Sequence, residues 1–341
     1  MRYFRFLLLV LIVAGVLSSC GQTVTSPTVT PTPMLSAKAK AYLTAALDIM
    51  QQHSVNRKKI NWTVLRREAF VDANGAKTPA DTYFAIELIV GALGDHHSFF
   101  LDPQTAKQWE AAKITSDEQP QGHLLAHGIG YLLLPHFLPI QQQDETQYAL
   151  LAQQVIRRAD QAEACGWIVD LRTNGGGNMW PMLDGVGPLL GEGVVGSFVD
   201  SDGVKQAWSY QHGQAQLAGS TLTGVENPYH LKHPLPPVAV LTGPKTASAG
   251  EAIVVAFRGR PSTRSFGEPT AGVPTANQGF SLSNGALLVL TVAVDADRTG
   301  RTYDSAIPPD QLVPVDLSQI GTPADGGVQA ATTWLHKREG C

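Results

Sequence analysis

Residues 246–257 read TASAGEAIVVAF, directly after the apolar run PVAVLTG and a short turn. The run before the turn has the continuous apolar character of a strand buried on both faces, and the segment after it that of a buried helix. Strand, turn and helix in succession make the repeating unit of an α/β fold. Ser248 stands at the junction. With Glu251 it makes the spacing Ser-x-x-Glu, a capping box in which the serine oxygen accepts an N–H three residues on and the glutamate reaches back. The same position suits a nucleophile. A helix start offers partial positive charge and the spare N–H of Ala249 to a developing oxyanion, and Gly250 leaves the approach open. The neighbouring GPKT lacks the Gly-x-x-x-x-Gly-Lys spacing of a phosphate loop.

Upstream, CGWIVDLRTNGGG is a second buried strand, closed by Gly175, Gly176 and Gly177. Glycines let backbone N–H groups point into a cavity, so this turn reads as an oxyanion hole, a phosphate cradle or a plain tight turn. QYALLAQQVIRRADQA and MWPMLDGVGPLLG flank the strand as helices, and HGIGYLLLPHF precedes them as a strand. RSFGEPTAG, FSLSNGALLVLTVAV and the run to IPPDQLV are β-rich, with turn residues between them. From Ser36 to about Trp109 the pattern is helical instead, in AKAKAYLTAALDIMQQHS, a short helix after INW, and ADTYFAIELIVGAL. The loop LGDHHSFFLDP follows. Its His96 and His97 are surface polar residues, or the source of a base for Ser248 near neutral pH.

The composition is that of an ordinary soluble protein, 43% hydrophobic and 16% charged over 341 residues, with a formal net charge of −4. Without a Lys/Arg run, nucleic acid is excluded as a partner. Without Cys-x-x-Cys or His-x-x-x-His, zinc has no support, and the chain calls for no metal or organic cofactor. The N-terminus pairs basic MRYFRF with an apolar run of signal-peptide length, ending in Leu-Ser-Ser-Cys20, which resembles a bacterial lipobox. Cleavage before Cys20 and lipidation of it would place the chain outside the cytoplasm, lipid-anchored to a membrane of the cell envelope. The Thr/Pro-rich stretch after Cys20 reads as an extended tether. Export permits a disulfide between Cys165 and Cys341. Cys165 leads into a buried strand, however, and reads as a free core thiol.

These segments, in this order, resemble the tail-specific (C-terminal processing) serine protease family, which includes the tricorn protease core and the retinoid-binding repeats of the photoreceptor matrix. LGDHHSFFLDP resembles its Gly-Asp-x-His-Ser/Thr segment, and IVDLRTNGGG its Asp-Leu-Arg-x-Asn-x-Gly-Gly strand and turn. VLTGPKTASAGE is similar to its nucleophile segment, and the β-rich end to its closing strands and Pro-Asp signature. The resemblance runs from about Leu43 to Val315. It implies an α/β fold with an N-terminal helical cap and a crotonase/ClpP-like β-β-α superhelix core, a peptide or protein substrate, and Ser248 as nucleophile. It implies the N–H groups of Gly176 and Ala249 as oxyanion donors. One branch of the family uses a lysine base in Gly-Glu-x-Thr-x-Gly-Lys-Gly; here GEPTAGVPT places Val273 there. The tricorn-like branch uses a histidine, matched by His97, while His96 falls where tricorn has a helper serine. By triad logic a carboxylate should orient His97, with Asp304 in RTYDSAIPPD as the candidate; in a register one residue away Tyr303 is the aligned residue instead. Lys245 should point outward. Too few residues separate Pro103 from His127 for the PDZ domain of many relatives.

The expected organisation is a signal peptide over 1–19, a tether over 20–35, a helical domain over 36–115 and a protease core over 116–341. Two other readings use the same residues. An α/β-hydrolase esterase would employ Ser248, Asp297 and His336 in that order, although TASAG lacks the first glycine of Gly-x-Ser-x-Gly. A non-catalytic or degenerate member would bind an apolar ligand or peptide, since a fold does not fix function.

Overall fold

The protein is described by a computed structural model covering residues 34–111, 118–138, 141–338 and 341. The signal peptide and lipidation site at Cys20 lie outside these residues, as does nearly all of the tether. Helices α1 (Ala37–His53), α2 (Trp62–Asp72) and α3 (Tyr83–Ala92) come first, then strand β1 (Phe99–Leu101) and helix α4 (Pro103–Glu110). Next come β2 (Gln121–Leu125), β3 (Ile129–Leu133), α5 (Gln142–Gln161), β4 (Gly166–Asp170) and α6 (Met179–Leu190). A meander follows, of β5 (Gly193–Asp200), β6 (Lys205–Gln211), β7 (Gln214–Leu217) and β8 (Ser220–Gly224). The chain then forms β9 (Val238–Thr242), α7 (Ala249–Phe257), β10 (Thr263–Gly267), β11 (Thr275–Ser281) and β12 (Leu287–Asp297). It ends with β13 (Thr302–Tyr303), β14 (Gln311–Leu312) and α8 (Gly326–Leu335).

Two sheets organise these elements. The six-stranded sheet has the order β14-β10-β9-β4-β3-β2 and is parallel except for β2. Every residue of β4 and of β9 is buried, as the continuous apolar runs require of strands covered on both faces. The eight-stranded sheet is antiparallel, in the order β1-β12-β5-β6-β7-β8, with β11 and β13 on the other edge of β12. Helices α5, α6 and α7 fill the space between the sheets and form the largest apolar cluster, with Trp167, Ile253, Phe257 and Trp208 fully buried. The helices α1–α3 cover the outer face of the antiparallel sheet at Leu288 and Leu290, and α8 covers the outer face of the parallel sheet. The mixed α/β class and the helical N-terminal part agree with the sequence reading.

The free-thiol reading of Cys165 is corrected: Cys165 is bonded to Cys341. Helix α8 lies over β4, which brings the chain end against Gly166 at the start of that strand. Among the described residues no helix is long and apolar enough to cross a membrane.

Candidate active site

Strands β4 and β9 are parallel neighbours, with Val169 opposite Val240 and Asp170 opposite Leu241, so the loops leaving their C-terminal ends lie side by side. Crevices of open α/β sheets form at such ends. Thr246 stitches the two loops together: its hydroxyl donates to Leu171 O at 2.9 Å and accepts from Gly243 N at 3.0 Å. Ala247 N donates to Asn174 O at 2.9 Å. The chain then turns at Ser248 with φ 51° and ψ −118°, a backbone state that a residue with a Cβ occupies only when its surroundings hold it there. Such strain at a strand-to-helix turn pushes a side-chain oxygen out to the apex.

Glu251 is what holds the turn. It is fully buried, and its carboxylate accepts the N–H groups of Ser248, Gly272 and Val273, each at 2.9 Å, together with the Thr270 hydroxyl. Burial raises its pKa above the usual carboxylate value, and the donors pull it back. The glutamate half of the capping box is therefore present and does more than cap. It fastens the nucleophile turn to the loop that leads into β11.

The glycine loop closes on the serine. A Cβ on Gly176, where φ is +104°, would sit 2.8 Å from Ser248 Cβ and 3.3 Å from its Oγ; one on Gly177 would sit 2.0 Å from Phe137 O. No side chain fits at either position. In this conformation the N–H of Gly176 is engaged, donating to Asn174 Oδ1 at 3.0 Å. Two amides that border the Ser248 cleft beside the serine, those of Ala249 and Gly177, have no hydrogen-bond partner among the described residues.

His97 enters from the loop between α3 and β1. Asp95 pins that loop, its carboxylate accepting His97 N at 2.9 Å, Ser98 N at 2.7 Å and the Ser98 hydroxyl at 2.7 Å. His97 Nδ1 is 2.7 Å from Thr275 Oγ1, and Asn277 Nδ2 donates to His97 O at 3.0 Å. Burial holds the imidazole pKa below its ordinary value, with Asp95 pushing the other way. Thr275, the partner of His97, in turn lines a cleft of about 410 Å³ together with Ser248, Ala249 and Gly177.

Several expectations resolve differently. Asp304 is exposed and makes no hydrogen bond among the described residues, and the group at His97 Nδ1 is the Thr275 hydroxyl. Tyr303 donates its hydroxyl to Asp297 Oδ2 at 2.8 Å instead. His96 and Lys245 are exposed. The esterase constellation is not assembled, since His336 follows α8 on the outer face of the parallel sheet, its ring centroid 5.6 Å from that of His127. Asp297 is engaged with Thr299 and Tyr303. The sequence reading missed Thr275 and the fourfold role of Glu251. Glu251 had a signal in its capping spacing; Thr275 had none. Among the described residues no group of three or more His, Cys, Asp or Glu side chains is placed to hold a metal ion.

Comparison with known proteins places this geometry. A sequence profile for "Peptidase family S41" matches residues 128–313. A nisin-resistance protein of Lactococcus lactis is 28% identical over 271 residues, covering 79% of this chain and 81% of that protein. A carboxyl-terminal-processing protease of Synechocystis is 25% identical over 261 residues, covering 75% of this chain and 54% of that one. Among solved structures, a lipoprotein from Streptococcus agalactiae superposes with a TM-score of 0.70 at 24% identity, covering 89% of this chain and 98% of that one. A photosystem II D1 C-terminal processing protease superposes with a TM-score of 0.60 at 17% identity, covering 87% and 98%. The two structural likenesses speak to the fold.

Proposed function

The chain belongs to peptidase family S41 and is a serine-type peptidase, and on that premise we propose that Ser248 is its nucleophile and His97 its general base. The observation that carries the proposal is the strained turn at Ser248, held by a buried glutamate at the start of α7 beside the unpaired N–H of Ala249. In this reading Nδ1–H of His97 donates to Thr275 Oγ1, which leaves the Nε2 lone pair for the Ser248 proton. As that proton moves to Nε2, Ser248 Oγ bonds to the substrate carbonyl carbon, and the carbonyl oxygen becomes an oxyanion. Ala249 N–H and the glycine loop receive it, through Gly177 N–H or through Gly176 N–H once Asn174 releases it. His97 returns its proton to the leaving amine as the C–N bond breaks. Water repeats the cycle on the acyl-enzyme, releasing the acid product and free Ser248.

The substrate is a peptide chain. A relative's name brings nisin to this chain as a first substrate to try. A structural neighbour described as a lipoprotein supports the lipobox reading of Cys20, hence an exported chain anchored by lipid. Mass spectrometry of the membrane fraction tests the anchor, and an unmodified soluble chain starting elsewhere overturns it. A serine-directed phosphonate tests the nucleophile. It should label Ser248 and no other residue, and it should fail on Ser248→Ala. Peptide cleavage that persists in Ser248→Ala overturns the assignment.

A further inference from the structure

Strand β4 is stapled to α8 at both ends. Cys165, just before the strand, is bonded to Cys341, which follows α8. Arg172, just after the strand, is bonded to Asp325, the N-cap of α8. The second staple is buried. Arg172 Nη1 donates to Asp325 Oδ1 at 2.8 Å, and Nη2 donates to Asp325 Oδ2 at 2.6 Å. On the other side Asp170 accepts Nε at 3.0 Å and Nη2 at 2.6 Å, and it also accepts the Tyr131 hydroxyl at 2.7 Å. The guanidinium is thus held between two forked partners. A buried ion pair adds little stability over an apolar pair of the same volume, because desolvation offsets most of the attraction. What a forked arginine–carboxylate contact supplies is geometry. Here the geometry is applied at the root of the glycine loop. Leu171 O accepts the Thr246 hydroxyl and Asn174 N, each at 2.9 Å. Asn174 O accepts the N–H of Ala247, the residue before the nucleophile, and Asn174 Oδ1 accepts Gly176 N. Arg172 stands inside this turn and carries its side chain out to α8. The first turn of α8 leaves room for it: a Cβ on Gly327 would sit 3.1 Å from Arg172 Nη1.

We propose that Asp325 is a positioning residue for the reaction: through Arg172 it fixes the turn 171–174, and so the placement of the glycine loop against Ser248. The proposal rests on the serine-peptidase reading above and adds to it a residue far along the chain from the serine. Asp325 touches no substrate. Its effect falls on the step that forms the oxyanion, since the glycine loop meets the carbonyl oxygen most strongly there. Turnover depends on that placement, and ground-state binding depends on it little.

The test measures kcat and KM on one cleaved peptide, beside thermal melting, for the full-length protein and three variants. Asp325→Asn keeps an oxygen to cap α8, but it sets an amide donor where Oδ2 accepted Arg172 Nη2. Its kcat should fall about 10- to 100-fold with KM within about twofold, the scale of a small misplacement at a reacting centre. The acid limb of its pH profile should stay where the parent protein has it, since His97 is untouched. Gly327→Ala presses on the guanidinium without removing a bond, and alanine is the better helix former. Its kcat should fall about threefold while the melting temperature holds or rises. Cys165→Ala with Cys341→Ala opens the far staple, so the protein should melt earlier with kcat within about twofold. Unchanged kcat in folded Asp325→Asn overturns the proposal. An equal loss of kcat in the double cysteine variant also overturns it, since α8 then acts only through stability. If Asp325→Asn does not fold, Gly327→Ala decides, and unchanged kcat there overturns it. If the parent protein cleaves no peptide and Ser248 resists phosphonate, the peptidase reading fails first, and this proposal falls with it.

Discussion

The serine side and the histidine side of the site are built by different means. Ser248 sits where two buried parallel strands deliver their loops together, and a fully buried carboxylate accepts four donors to hold the turn. His97 sits on a loop outside that sheet, and its ring is oriented by one neutral hydroxyl on an edge strand. Hydrogen bonds to an ionised, buried acceptor are roughly twice as strong as neutral ones. The serine half is therefore rigid before substrate arrives, and the histidine half is the softer one.

The largest effects should come from the rigid half. Ser248→Ala should lower kcat by on the order of 10⁵–10⁶-fold and leave thermal stability nearly unchanged, as loss of a nucleophile does in other serine peptidases. Glu251→Gln should abolish phosphonate labelling for a different reason. Its amide NH₂ would face backbone donors where the carboxylate oxygen accepted them, costing roughly 1–3 kcal/mol of stability for the stranded groups. Calorimetry and labelling together separate the two variants. If Glu251→Gln keeps both stability and labelling, the serine side is not held as described.

His97→Ala should come next, lowering kcat/KM by about 10²–10⁴-fold, the usual worth of a positioned base. His96→Ala should cost less than threefold by the same measure, because His96 is exposed and does not line the Ser248 cleft. Equal losses in the two would return the choice of base to Lys245.

The same contrast governs what could be read from the sequence. GWIVDLR and PVAVLTG announce central parallel strands because burial on both faces leaves an uninterrupted apolar run. The Ser248–Glu251 spacing and the glycine turn lie within a few residues of their strands, so local pattern carries them. The meander β5–β8 left no such trace, as half-exposed antiparallel strands are short and mixed in polarity. Thr275 lies 178 residues from His97, and Cys165 lies 176 from Cys341. Neither partner carries a local signal of the other, so only the assembled layers bring them together. Asp304 was expected from triad logic. The logic asks for a group at Nδ1, and the fold supplied a hydroxyl where a carboxylate was sought.

The smallest effects, and the sharpest for the comparison, concern that hydroxyl. Thr275→Val removes the Nδ1 partner while keeping the shape of the side chain, and should lower kcat roughly 10- to 100-fold, less than losing the base itself. Thr275→Ser should restore most of the loss. Asp304→Asn should change kcat less than twofold, whereas a true orienting carboxylate would cost about 10⁴-fold. The pH profile supplies an independent sign. His97 must be neutral to accept the serine proton, and burial favours the neutral form, so its pKa lies below the usual ~6.5. Activity should therefore hold on the acid side of 6.5 and fall only as pH drops through the lowered value. A carboxylate at Nδ1 would do the reverse, stabilising the imidazolium and moving the acid limb of kcat/KM above 6.5. An acid limb above 6.5 that Asp304→Asn shifts downward would put the carboxylate back beside His97 and make the two halves of the site alike.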